Sequence, residues 1–261
     1  KRSKAFPLGG RTTLADLVAV TAEGGKVAFS GAARARVRSA RRRLLRLAAT
    51  GEPIYGVNTG FGELASQRIP PDRLVQLQRN LVLSHACGVG EPLDRAEARG
   101  ILFLRANELC RGYSGAREEL VALMASLLNA GAAPVIPSRG SVGASGDLAP
   151  QAHMALVLIG EGRATLGGRT LSGGEILRRL RLKPIVLEVK EGLALLNGTQ
   201  AMQSIGGLAL ARAQHVLDAA QLAGAMSLEA MTGTPVPFDE TLQRLKPHPG
   251  QARMAAQLRK L

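Results

Sequence analysis

Aromatic residues are nearly missing from this sequence: two Tyr, five Phe and no Trp in 261 positions. A core without rings has to be built from Leu, Val, Ile, Ala and Met, which suits close-packed helices better than a β-sandwich. Cysteine is scarce as well. Cys87 and Cys110 make no disulfide framework in a chain of this length, and no metal-ligand spacing surrounds them. Both sit in apolar helical patterns and are expected to be buried, reduced thiols. No apolar run reaches the ~20 residues that a membrane span needs, because Arg, Glu or Gly interrupts each one. Lys1, Arg2 and Lys4 are followed by no adequate apolar run, so no signal peptide is read. The expectation is a soluble, cytoplasmic protein with no metal and no membrane contact.

Positive charge, by contrast, is plentiful: the formal net charge is +14. Such a balance draws nucleic acid non-specifically. The densest basic run, Arg34 to Arg46, also carries Val37, Ala40, Leu44 and Leu47 at helical spacing. It reads as an amphipathic helix with a solvated basic face. Interleaved aromatics or a recognisable binding module would be needed for a specific nucleic-acid role, and neither is there.

Organisation follows from punctuation. Lys26 to Phe29 is β-like, and Ser30 is placed to cap the basic helix, which should end near Gly51. Residues 51–71 form a Gly-rich loop. Helices are expected from Pro71 to Gly88, Asp94 to Arg111, Ala116 to Ala130 and Leu148 to Ile159, with a second long loop over 132–146. A hairpin should turn at Gly167-Gly168, a short helix should cover Glu175 to Leu182, and 186–196 should lead into a loop. Thr199 to Met226 is a long, strongly apolar helix that should be buried on several sides, against more partners than this chain alone is expected to supply. The fold class is mainly α: a helical N-terminal domain over 1–198 with small β elements, then the start of a long-helix bundle over 199–261. Long Gly-rich loops that are not strongly polar usually carry function.

Generic motifs fail. Gly60-Phe-Gly62-Glu-Leu-Ala65 matches a loose dinucleotide-binding pattern, but Pro70-Pro71 stand where its helix should run. There is no P-loop, no H-E-x-x-H and no nucleophile elbow. The informative segment is Ser141-Val-Gly-Ala-Ser-Gly-Asp-Leu-Ala-Pro150. If the Gly146 nitrogen attacks the Ala144 carbonyl, a five-membered ring closes. One water leaves from the ring, and a second from the Ser145 side chain. The product is 4-methylideneimidazole-5-one (MIO), a built-in electrophile. Gly146 has no Cβ to obstruct the fold-back, Ala144 is small, Ser145 supplies the leaving hydroxyl, and Gly143 lets the loop compress.

This segment resembles the prosthetic-group segment of the aromatic amino acid ammonia-lyases and aminomutases. Three further stretches match that family in order: YGVNTGFG (55–62), NLVLSHACGVGEPL (80–93) and KEGLALLNGTQ (190–200). The resemblance implies that Tyr55 is the base for the substrate Cβ proton. An unperturbed phenol, with a pKa of about 10, would need lowering for that task. It implies that Asn197 holds the ring and substrate through its amide, a role compatible with capping before Gly198. Ser84-His85 is similar to the pair in histidine-specific members, where an imidazole substrate needs a hydrogen-bonding partner that Leu cannot supply. His153, His215 and His248 read as structural.

The implied reaction is non-oxidative deamination of L-histidine to trans-urocanate and ammonia. The substrate amine adds to the Ser145-derived methylene, and Asn197 with backbone amides stabilises developing charge. The family's chains run on for roughly as many residues again, form homotetramers and build active sites from several subunits. The sequence is therefore expected to be the N-terminal half of such a protein, truncated after Leu261 and with little activity alone. Two alternatives stay open: another lyase or aminomutase of the family, and a non-catalytic fragment that acts through assembly with partner chains.

Overall fold

Side chains able to cap helices stand at the starts of several of them in the computed structural model, which describes residues 5–62, 65, 67–143 and 146–261. Helix α1 (Leu14–Thr21) begins at Thr13, in a reciprocal box with Asp16. Helix α2 (Gly31–Ala49) begins at Ser30, and α4 (Arg95–Leu109) at Asp94, again in a box with Glu97. Each such cap contributes about 1 kcal/mol. Between them, α3 (Leu74–His85) follows a single 3-10 turn at Pro71–Arg73. Helix α5 (Glu118–Ala130) stops at Gly131, which takes the left-handed conformation at φ 81°. Helices α6 (Leu148–Leu158), α7 (Gly173–Arg179) and α8 (Glu191–Leu196) precede the long α9 (Gln200–Ala230), and α10 (Glu240–Leu245) and α11 (Pro249–Leu258) come last.

The strands are short. β1 (Phe6–Pro7) pairs in parallel with β2 (Val27–Ala28), and β3 (Val89–Pro92) pairs antiparallel with β5 (Pro137–Arg139). β4 (Ala133–Pro134), β6 (Arg163–Leu166) and β7 (Arg169–Ser172) form an antiparallel sheet in that order, with the hairpin at Gly167-Gly168 where expected. The protein is mainly α with small β elements.

The chain divides into two compact units, Lys1–Leu208 and Ala209–Leu261, and α9 runs through the division. The first unit is organised around α4. Ile101, Leu102, Phe103, Ala106 and Leu109 pack with Leu120, Val121, Met124 and Leu128 of α5 and with Met154 and Leu158 of α6. Phe103 meets Phe6 edge-on, with centroids 5.1 Å apart. Helix α4 is buried on nearly every side, so its polar residues must find partners inside. Arg99 donates to the carbonyls of Val20, Thr21, Leu128 and Ala132 at 3.0–3.3 Å, closing the C-terminal ends of α1 and α5. Burial pulls this guanidinium down to about 10. Asn107 takes the amide of Gly9 at 2.6 Å and donates to the Gly10 carbonyl, tying the N-terminal segment to α4.

Four expectations need correction. The basic face of α2 is not wholly solvated. Its buried stripe is Ala33, Val37 and Arg41, whereas Leu47 is exposed. Arg41 pairs with Glu188 at 2.6 Å and donates to Gly115 and Val189, so its charge is met inside. Cys87 lies beyond the end of α3 and is exposed; only Cys110 is buried. Residues 132–146 contain β4 and β5, whose pairing lies with distant strands. Residues 186–196 contain α8, entered through Lys190 at φ 71°. Leu210, Val216 and Met226 of α9 are 62–69% exposed, uncovered among the described residues, as expected of a helix for which this chain supplies too few partners.

Candidate active site

Three mutually packed helices, α3, α6 and α8, carry or flank the described residues singled out in the sequence, Tyr55 excepted. Helix α3 ends at His85, and Ser84 precedes it. The His85 Nδ1 lies 2.8 Å from the Leu81 carbonyl, one turn back. A carbonyl only accepts, so in the neutral ring Nδ1 carries the proton and Nε2 is left as an acceptor. Nε2 has no partner among the described residues. The Ser84 hydroxyl donates to the same carbonyl at 3.2 Å. Behind His85 the chain is held by Gly88, whose amide donates to Nε2 of His153 at 3.1 Å. That bond needs a neutral His153, and burial pushes its pKa down.

The second component is the segment leading into α6. Ala144 and Ser145 lie outside the described residues, while Gly143 and Gly146 on either side have φ of 74° and 127°. Asp147, 3% exposed, accepts from the Ser141 hydroxyl at 2.6 Å and from the Met202 amide at 3.0 Å. Its side chain thus satisfies an open amide in the first turn of α9. Its own main-chain amide donates to the Gly198 carbonyl at 2.7 Å.

Helix α8 supplies the third component. Its N-terminus is fixed by Glu191, which is fully buried and accepts from Arg117 through Nε at 3.0 Å and Nη2 at 2.7 Å. Its middle packs on α3, where the Gly192 amide donates to Gln78 at 2.9 Å. Its C-terminus delivers Asn197 and Gly198 against Gly146. A Cβ on Gly146 would lie 2.8 Å from the Gly198 nitrogen, 2.9 Å from the Gly198 oxygen and 3.0 Å from Oδ1 of Asn197. This is a cradle that only a glycine fills. The Asn197 side-chain amide makes no hydrogen bond within the described residues, while its main-chain amide donates to the Leu193 carbonyl at 3.0 Å.

Two cavities border Gly146. One, of about 460 Å³, is lined by Arg105, Glu108, Gly143, Asn197, Gly198, Thr199 and Gln200. The other, of about 310 Å³, is lined by Ser84, His85, Cys87, Gly140, Val142, Leu148 and Ala149. The structure therefore brings Ser84, His85, Asn197 and Gly146 around one point.

Tyr55 lines neither cavity. It stands 55% exposed on a turn held by Asn58, whose Oδ1 takes the Ile54 amide at 2.7 Å and whose Nδ2 donates to Glu52 at 2.8 Å. The Tyr55 ring meets Phe61 edge-on, with centroids 6.1 Å apart. The next residue, Gly56 at φ 70°, presses on α8 so closely that a Cβ would fall 2.3 Å from Cδ2 of Leu193. The turn that presents Tyr55 thus rests on the helix that presents Asn197.

Sequence reasoning passed over Asp147, Arg105 and Gln151. Each is polar and buried, and two of them stand in otherwise apolar helix faces. A lone Arg in ILFLRANEL or a lone Gln in LAPQAHMAL is the signal that was there to be read.

A helical fold in which a Gly-rich loop is pressed against an Asn-Gly helix end has known counterparts. The chain belongs to the aromatic amino acid lyase family, whose sequence profile it matches over residues 12–261. It is 52% identical to the histidine ammonia-lyase of Anaeromyxobacter dehalogenans over 262 aligned residues, covering 97% of this chain and 52% of that protein. Among solved structures, it superposes on the histidine ammonia-lyase of Trypanosoma cruzi with a TM-score of 0.91 at 39% identity, covering 99% of this chain and 50% of that one. It also superposes on the tyrosine aminomutase of Streptomyces globisporus with a TM-score of 0.91 at 35% identity, over 98% and 49% of the two chains. The chain spans about half the length of the curated relatives it matches.

Proposed function

We propose that this chain is the prosthetic-group half of an ammonia-lyase that converts L-histidine into trans-urocanate and ammonia, with MIO formed from Ala144, Ser145 and Gly146. The observation that carries the reading is the contact of Gly146 with Asn197 and Gly198, beside a cavity that also borders His85. The residues present fit the group, since the Gly146 cradle excludes a Cβ and Gly143 and Gly146 both have positive φ. Closure is balanced: the Gly146 nitrogen bonds to the Ala144 carbonyl carbon, whose oxygen leaves as water with the amide protons of Gly146 and Ser145. The Ser145 hydroxyl leaves with its Cα proton as the second water. Once formed, the group supplies an electrophilic methylene for the substrate amine.

The chain's own residues do the rest. His85 accepts through Nε2 from the N–H of the substrate imidazole. Ser84 stands beside it as a second hydroxyl contact. Asn197, its side-chain amide unspent, orients ring and substrate. Tyr55 takes the Cβ proton in the assembled site. The exposed apolar residues of α9 suit assembly into a homotetramer, with the part of its relatives that this chain does not span completing the site. Free thiols at Cys87 and Cys110 suit a reducing cytoplasm, and no described helix is long and apolar enough to cross a membrane. Likeness to an aminomutase supplies a second reading, in which a β-amino acid is the product. Incubating the assembled protein with L-histidine and resolving the products separates the two. Urocanate and ammonia support the lyase, and a β-amino acid supports the aminomutase.

A further inference from the structure

Helix α8 leaves its last carbonyls open, as every helix does. Two buried side chains from other helices take them. Gln151, fully buried in the first turns of α6, donates through Nε2 to the Leu196 carbonyl at 2.9 Å and the Gly198 carbonyl at 2.8 Å. Its Oε1 accepts from Nε of Arg105 on α4 at 2.9 Å. The same Nε donates to the Leu195 carbonyl at 3.1 Å, and Nη1 of Arg105 pairs with Glu108 at 3.0 Å. The Gly198 carbonyl is shared, because it also accepts from the Asp147 amide. The end of α8 is therefore pinned from beneath, and it is this end that lies against Gly146. Space at the pin is fully used: a Cβ on Gly198 would fall 2.2 Å from Oε1 of Gln200 and 2.8 Å from Nη2 of Arg105.

We propose that Arg105 and Gln151 are positioning residues for ring closure, acting through the Leu195–Gly198 carbonyls to fix the backbone of Gly146 and Asp147 for attack of the Gly146 nitrogen on Ala144. The proposal rests on the reading of residues 144–146 as self-cyclising. An unpinned loop would have to adopt that geometry by chance, at an entropic disadvantage for every backbone torsion it fixes. Neither side chain lines the cavity beside His85; Arg105 lines the other one, with Asn197 and Gly198.

The test is the intact mass of the purified chain and of three variants, with a thermal melt of each. Gln151→Leu keeps volume and removes every bond. Arg105→Lys is milder, keeping the charge toward Glu108 and losing the Nε donor. Arg99→Met is the control, since Arg99 is equally buried on the same helix but bonds only carbonyls remote from the loop. The expected result is loss of two waters in the unaltered chain and in Arg99→Met. The dehydrated fraction should fall at least tenfold in Gln151→Leu and partly in Arg105→Lys, even where the melts show less destabilisation than Arg99→Met. Full dehydration of both Gln151→Leu and Arg105→Lys overturns the positioning role while leaving the cyclisation reading in place. Equal loss in Arg99→Met overturns it too, by tying dehydration to stability alone. If Gln151→Leu does not fold, Arg105→Lys decides by the same criterion. An unaltered chain with no deficit overturns the cyclisation reading and this proposal together.

Discussion

The main-chain amide of Asp147 donates to the carbonyl of Gly198 across 2.7 Å, joining the residue after the Ala-Ser-Gly segment to the residue after Asn197. Two stretches of chain some fifty positions apart thus meet at their most conformationally free residues. Gly146 has φ of 127°, and no side chain could be accommodated on it without moving Gly198 or Asn197.

The Tyr55 turn depends on a similar contact. Gly56→Ala places a methyl in the space of Leu193 at φ 70°. It should destabilise the chain by about 1–3 kcal/mol, read as a lower melting temperature. Leu193→Ala in the same chain should recover only part of that loss, because the backbone strain persists. Full recovery would show that crowding alone is at work.

The two thiols should react very differently. Cys110 is fully buried, and burial pushes its pKa up to about 12 despite Arg36 and Arg34 nearby. Cys87 is exposed and borders the His85 cavity. One equivalent of iodoacetamide should be taken up by the native protein, at Cys87, and the second only after denaturation. Mass mapping of the labelled peptide checks this.

Stability should depend on His153 at mildly acidic pH. Its folded pKa is depressed by burial, and the Gly88 amide needs its bare Nε2. Its contribution is therefore complete above the unfolded histidine value of about 6.5 and is lost as pH falls through the lower folded value. Melting temperatures measured from pH 7.5 down to 5 should fall, and more steeply than those of His153→Gln. Parallel curves would remove His153 as the cause.

Substrate choice should rest on His85. With L-histidine as the proposed substrate, His85→Leu should leave its imidazole N–H unpaired, a loss of about 1–3 kcal/mol. Urocanate formation should fall roughly ten- to a hundredfold. Unchanged turnover of L-histidine would remove His85 from substrate recognition.

How much of this was legible in the sequence depends on how local each cause is. Ser30, Asp94 and Gly131 mark helix ends because a cap acts within a few residues, and the structure uses all three. The Gly167-Gly168 turn is equally local. β1 and β2 pair over only two residues each, too few for an alternating pattern, so β1 left no trace in the sequence. Helix α8 was hidden because Lys190 enters it at positive φ without a side-chain cap, and because Gln78 and Arg117, which fix it, come from α3 and the start of α5. In the candidate site, motifs singled out Gly146, Asn197 and His85, which the fold brings near one another. Gln151 and Arg105 stand out as lone polar residues in apolar helices, but their bonds to each other and to α8 span 45 to 90 positions, so the sequence does not name those partners.

The central claim, that residues 144–146 react with one another, is tested most directly by proteolytic mapping of the purified chain. The account predicts that the peptide containing Ser141 to Pro150 is lighter by two waters than its sequence requires, with the loss localised to 144–146 and absent in Ser145→Ala, which retains the hydroxyl-independent first dehydration at most. An unmodified peptide from well-folded protein would contradict it.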